Sequence, residues 1–244
     1  NEVQDEAWDH ALTARGLLEA ARLLDARYHL VVTNVPYLAR GKQSDALKAF
    51  CENHYADAKN DLANVFLERC LELSQRGAAG VVQIVMPQNW LFLTSYKKQR
   101  ESLLKRVQWN LLARLGPGAF ETISGEVVQA VLLTQTHAQA DVAFDLRGVD
   151  ASGPRAAQEK AAMLRGGRVV AVSQKSQLFN PDARVSFEQL SSGSLLSVHA
   201  DAYWGQGTGD FVRFGRVFWE IAESGDDWEY GQTTVDANVD FGGR

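Results

Sequence analysis

The run Tyr28-His-Leu-Val-Val-Thr-Asn-Val-Pro-Tyr37 limits what this chain can fold into more than any other segment. Leu30, Val31 and Val32 form the apolar, β-branched run expected of a strand covered on both faces. Pro36 ends that strand because it has no N–H for a ladder, and it biases Val35 towards extended geometry. The Asn34 carboxamide, the Val35 carbonyl and the Tyr37 ring are thereby held together at the carboxyl end of a strand, where open α/β sheets bind their ligands. An amide oxygen and a main-chain carbonyl are two acceptors, which suit an exocyclic amino group with two hydrogens. A neighbouring aromatic face suits a planar base.

The rest of the chain alternates strand and helix. Residues 11–26 carry a helical apolar stripe of Leu12, Leu17, Leu18, Ala21 and Leu24. Helices are also predicted over 45–53 and 61–75, the second with Leu62, Val65, Phe66, Cys70 and Leu73 at helical spacing and a stop at Arg76-Gly77. A buried strand follows at 80–85, closed by Pro87, and 90–106 reads as mainly helical and basic. Strands at 110–115 and 126–134, joined through Gly116-Pro-Gly118, are expected to form a hairpin. A short strand at 141–146 and a short helix at 156–164 come next, and a domain boundary is placed at 147/148. The fold class is α/β.

At 244 residues, 45% of them apolar and 23% charged, the chain is long enough to bury a real core. No apolar run is long enough to span a bilayer, so no membrane partner is expected. Cys51 and Cys70 are too few for a disulfide framework, which points to a reducing cytoplasm. The Cys51-Glu-Asn-His54 spacing lacks a second ligand pair, so no metal is expected. A net charge of −5 argues against coating nucleic acid through an overall field, but leaves room for a local basic groove. Lys97, Lys98 and Arg100 are the densest candidates, and a solvated helix face is the plain alternative.

Asn34-Val35-Pro36-Tyr37 resembles the Asn-Pro-Pro-Tyr motif of S-adenosylmethionine-dependent amino-methyltransferases, above all the adenine-specific DNA enzymes. Later segments extend the likeness in order: Asp61-Leu-Ala-Asn-Val-Phe66, Met86-Pro-Gln-Asn-Trp90, Gly118-Ala-Phe120 and Gly207-Thr-Gly-Asp-Phe-Val-Arg213. Together they are similar to large type II restriction-modification methylases and to the methyltransferase of BREX phage-exclusion systems. The resemblance implies a partial Rossmann-like methyltransferase sheet over residues 1–147. Residues 148–244 would then be a linker and the beginning of a target-recognition region.

It implies S-adenosylmethionine as cofactor and double-stranded DNA as partner. An adenine flipped from the duplex would lie between Tyr37 and Phe120, with Asn34 and the Val35 carbonyl accepting its N6 hydrogens and Pro36 stiffening the turn. Phe66 and Asp61 would lie beside the cofactor, and Thr208 and Arg213, with the basic run 97–100, along the DNA backbone. Valine replaces the family's usual proline at position 35, which leaves the carbonyl in place. The family's glycine-rich cofactor loop is not matched upstream of Asn34, where Gly16 is the single glycine. The resemblance therefore implies an excised piece, weak in cofactor binding alone, that would bind the missing parts of its parent chain or dimerise. Two other readings stay open: methyl transfer to a protein glutamine amide, and a non-catalytic DNA-binding or assembly module.

Overall fold

Alternating burial builds the centre of the molecule. In a computed structural model, which describes residues 2–76, 80–119, 129–187, 198–201, 216 and 220–221, strand β2 (Val81–Pro87) buries Val82, Ile84 and Met86 completely on one face. Around it a mixed sheet of six strands has the order β1-β2-β4-β3-β5-β6, with β1 (Leu30–Asn34), β3 (Gln108–Gly116), β4 (Ala130–Thr136), β5 (Asp145–Asp150) and β6 (Val169–Ser173). β1 runs parallel to β2 and β3 parallel to β5, while β4 is antiparallel to both of its neighbours and β6 to β5. The helices are α1 (Glu2–Asp25), α2 (Asp45–His54), α3 (Leu62–Leu73), α4 (Lys97–Arg106) and α5 (Ala157–Gly166).

The main core joins β2, β3 and β4 to Leu67, Cys70 and Leu71 of α3 and Leu103 and Leu104 of α4. Trp90 and Trp109 are fully buried within it, with ring centroids 5.5 Å apart. Each such side chain contributes about 1.5–3 kcal/mol when taken from water. Two helices begin on side-chain caps: Ser44 accepts from the Leu47 N–H and Asp61 from the Ala63 N–H.

Four sequence expectations change. The 90–106 segment is not one helix, because short 3₁₀ turns at Asn89–Leu91 and Thr94–Tyr96 precede α4, and the Arg100 guanidinium occupies the Trp90 and Leu93 carbonyls. The strand expected at 141–146 forms later, at β5, because its register against β3 pairs Leu111 with Arg147 and Ala113 with Val149. β6, unforeseen, extends the sheet beyond β5. Finally, Leu30 and Val32 share one face of β1 and are 58% and 66% exposed, so the strand is not covered on both faces. The α1 leucines at 12, 17, 18, 23 and 24 are likewise exposed. Among the described residues no helix is long and apolar enough to cross a membrane, and no group of acidic, histidine or cysteine side chains gathers to hold a metal.

Candidate functional site

The parallel strands β1 and β2 deliver three segments to one end of the sheet: residues 34–43 after β1, residues 88–96 after β2, and residues 60–63 at the start of α3. Asn34 is the last residue of β1 and is exposed there, opposite Val85. Val35 turns inward and is buried in the main core, so its side chain anchors the turn while Pro36 stays exposed. Tyr37 is half-buried and packs against the same core, with its hydroxyl oxygen shielded from solvent. Burial, with the Asp61 charge adding to it, pushes the Tyr37 phenol up to about 12, so it is neutral at physiological pH.

Hydrogen bonds then fasten the chain beyond the turn to the start of α3. The Leu62 N–H donates to the Leu38 carbonyl at 3.0 Å and the Arg40 N–H to the Asn60 carbonyl at 2.9 Å. Gln43 Nε2 also donates to the Leu38 carbonyl, at 3.0 Å. Asp61 Oδ1 accepts from the Leu38 N–H at 3.3 Å and the Ala63 N–H at 2.9 Å. Asn60 Nδ2 donates to the Ser95 carbonyl at 3.2 Å and so ties the third segment to the other two.

Asn34, Val35, Pro36 and Tyr37 are thus contiguous at the sheet end, and Asp61 lies behind them. Asp61, expected beside the cofactor, spends Oδ1 on two main-chain amides. Phe66 is not a core aromatic: it is 37% exposed on α3, although Ala63, Asn64, Val65, Leu67, Cys70 and Leu71 of that helix are buried. Phe120, Thr208 and Arg213 lie outside the described residues. Gly116 pairs with Ala130, which also pairs with Pro87, so the chain on either side of Phe120 meets the sheet at the end that carries Asn34. Gly116 and Gly118 have φ of +63° and +74°, and a β-carbon at Gly118 would lie 2.6 Å from the Arg155 carbonyl oxygen.

The basic run divides. Lys97 and Lys98 open α4, and Lys97 pairs with Asp182 at 3.6 Å while its side chain is 46% exposed. Lys98 is exposed. Arg100, expected to face DNA, is fully buried and donates to the Trp90, Leu93, Asp182 and Ala183 carbonyls, so its guanidinium is withdrawn from the surface. Tyr96 was not singled out from the sequence. It is buried, and burial with the Asp61 charge pushes its phenol up to about 12. Only the meeting of α3 with the 88–96 segment brings it there.

Residues 2–118 match the family model described as Eco57I restriction-modification methylase. Over 130 residues the chain is 35% identical to the adenine-specific methyltransferase PglX of Lacticaseibacillus casei (strain Zhang), an alignment that spans 52% of this chain and 10% of PglX. Over 112 residues it is 37% identical to the adenine-specific methyltransferase BrxX of Escherichia coli O9:H4 (strain HS), spanning 46% of this chain and 9% of BrxX. The chain therefore spans a small part of the curated relatives it matches. Among solved structures, a modification subunit of a putative type I restriction enzyme from Vibrio vulnificus YJ016 aligns at 18% identity and TM-score 0.47, over 62% of this chain and 34% of that one. A nuclease-deletion mutant of the type ISP restriction-modification enzyme LlaGI, in complex with a DNA substrate mimic, aligns at 12% identity and TM-score 0.49, over 68% and 18%.

Proposed function

We propose that this chain, whose residues 2–118 match a restriction-modification methylase family, carries the substrate-binding part of an S-adenosylmethionine-dependent adenine-N6 DNA methyltransferase of a restriction or phage-defence system in the cytoplasm. The observation that carries this reading is the turn itself: Asn34 exposed at the carboxyl end of a parallel strand, on a peptide that the buried Val35 side chain anchors. A target adenine must leave the duplex stack before its amino group is accessible, at a cost of roughly a few kcal/mol. Tyr37 and Phe120 would flank the base, each stacking contact returning about 1–3 kcal/mol.

The Asn34 side-chain oxygen and the Val35 carbonyl accept the two N6 hydrogens. This draws the nitrogen lone pair out of conjugation with the ring and aims it along one direction. The amine proton then passes to solvent after transfer, because no strong base is required before attack; orientation supplies much of the rate. Phe66 fits the cofactor, since an aromatic ring left over a third exposed on an otherwise buried stretch of helix offers a face for a planar adenine. When bound, S-adenosylmethionine supplies an electrophilic methyl group on its sulfonium.

Lys97 and Lys98 support the DNA side of the reading. They stand at the positive end of α4, where cations are electrostatically disfavoured, and a phosphate would relieve the exposed Lys98 beside the Lys97–Asp182 pair. The test is transfer of labelled methyl to adenine in duplex DNA by the natural protein that carries this chain, compared with Asn34→Ala. Loss of one fixed acceptor should lower turnover by about 100-fold or more while cofactor affinity holds. Wild-type turnover in the variant, or methyl found on a protein glutamine instead of DNA, refutes the proposal.

A further inference from the structure

Asp61 sits at a junction that helix capping alone does not explain. An N-cap carboxylate needs one N–H from the first turn of its helix, and Ala63 provides it at 2.9 Å. The same oxygen also accepts the Leu38 N–H across 23 positions of sequence, at 3.3 Å. Leu38 follows Tyr37 directly, and its carbonyl is held by the Leu62 N–H and by Gln43 Nε2. Both main-chain polar groups of Leu38, the N–H and the carbonyl, are therefore tied to the start of α3 and to one neighbouring side chain.

Upstream, Val35 is sunk in the core. Between these two anchors lie Pro36 and Tyr37, with Asn34 just before the first, so the geometry of the acceptor pair depends on both ends being held. Asp61 is 9% exposed, which leaves water little opportunity to replace it as acceptor.

We infer that Asp61 is a positioning residue: by bridging the Leu38 amide to the α3 cap, it holds the Asn34–Tyr37 turn in the geometry that receives the target amino group. This rests on the function proposed above. Asp61 touches neither base nor methyl in this role; it acts through Leu38. Displacing a reacting group by an ångström costs up to about 100-fold in rate, so loosening one anchor should be visible in turnover.

Three substitutions separate this role from capping and from cofactor binding. Asp61→Ser keeps a good N-cap oxygen for Ala63, but that oxygen is one bond shorter and leaves Leu38 unbridged. Asp61→Asn keeps an oxygen of the same reach, and Asp61→Ala removes both contacts. In the natural protein that carries this chain, Asp61→Ser should melt near wild type yet lose about tenfold to 100-fold in kcat, with the dissociation constant for S-adenosylmethionine unchanged. Asp61→Asn should restore most of the turnover. Amide exchange should accelerate at Leu38 in Asp61→Ser and not in Asp61→Asn, while Ala63 stays protected in both.

Wild-type kcat in Asp61→Ser overturns the inference, as does unchanged exchange at Leu38. A drop in cofactor affinity in both Ser and Asn variants would make Asp61 a cofactor ligand instead, which also overturns it. If the wild type transfers no methyl to adenine, the function fails, and the clamp then stands or falls on the Leu38 exchange alone.

Discussion

Replacing Arg100 with methionine separates two incompatible roles for the most basic stretch of the chain. The guanidinium is fully buried: Nη1 donates to the Trp90 carbonyl and, at 2.7 Å, to Leu93, Nη2 to Asp182 at 2.8 Å, and Nε to Ala183 at 3.2 Å. Burial pushes its pKa down to about 10, so it is still a cation at pH 7. Asp182 and Ala183 have φ of 55° and 50°, a region that residues with a β-carbon enter only at a cost, and Arg100 binds both of their carbonyls. Methionine keeps most of the apolar stem but donates nothing.

Each carbonyl left without a partner costs about 1–3 kcal/mol, partly offset because no charge is buried any longer. The net loss expected is about 3–5 kcal/mol, the range for removing one partner of a buried charged network. At about 2–4 °C per kcal/mol for a domain of this size, Tm should fall by about 6–20 °C. Lysine should recover only part, since its ammonium is a single point that cannot span four acceptors. Calorimetry on the three proteins is the assay, with DNA affinity measured in parallel. An Arg100→Met protein that melts with the wild type but binds DNA more weakly would refute the structural role and return Arg100 to the DNA surface.

Two further outcomes follow from buried titratable groups. Burial, with Arg106 and Arg76 adding to it, holds the His137 imidazole below its ordinary 6.5, against hydrogen bonding around Ser74. Below pH 6.5 the unfolded chain therefore takes a proton that the folded one refuses, so stability present above that pH is lost as pH falls towards the lowered value. Urea midpoints measured from pH 7.5 to 5 should drop less steeply in His137→Gln; identical slopes would refute the assignment. Cys51 and Cys70 are both buried, and burial raises both thiols, Cys70 to about 11. Neither should react with a disulfide reagent at pH 7.5 until the chain unfolds, and rapid labelling of the native protein would contradict that.

The candidate turn and most of the secondary structure were legible because their causes are local. The apolar run at 80–85 forms β2, and the helical spacing of Leu62, Val65, Cys70 and Leu73 forms α3. Pro36 ends β1 wherever the rest of the molecule goes. Those features need only neighbours along the chain, and so the sequence by itself determined the strand, the turn and the residues presented on it.

What tertiary structure decided are the long-range partners. Arg100 looks like a surface cation in sequence, and its burial depends on carbonyls at 182 and 183 that arrive from another part of the fold. The second contact of Asp61 depends on Leu38, 23 positions away. Leu30 and Val32 read as core, yet their face of β1 is left in solvent, because apolar character states what a residue gains by burial and not whether anything arrives to bury it. A side chain's chemistry is written at its own position, whereas the groups that satisfy it come from segments whose approach the whole sheet determines.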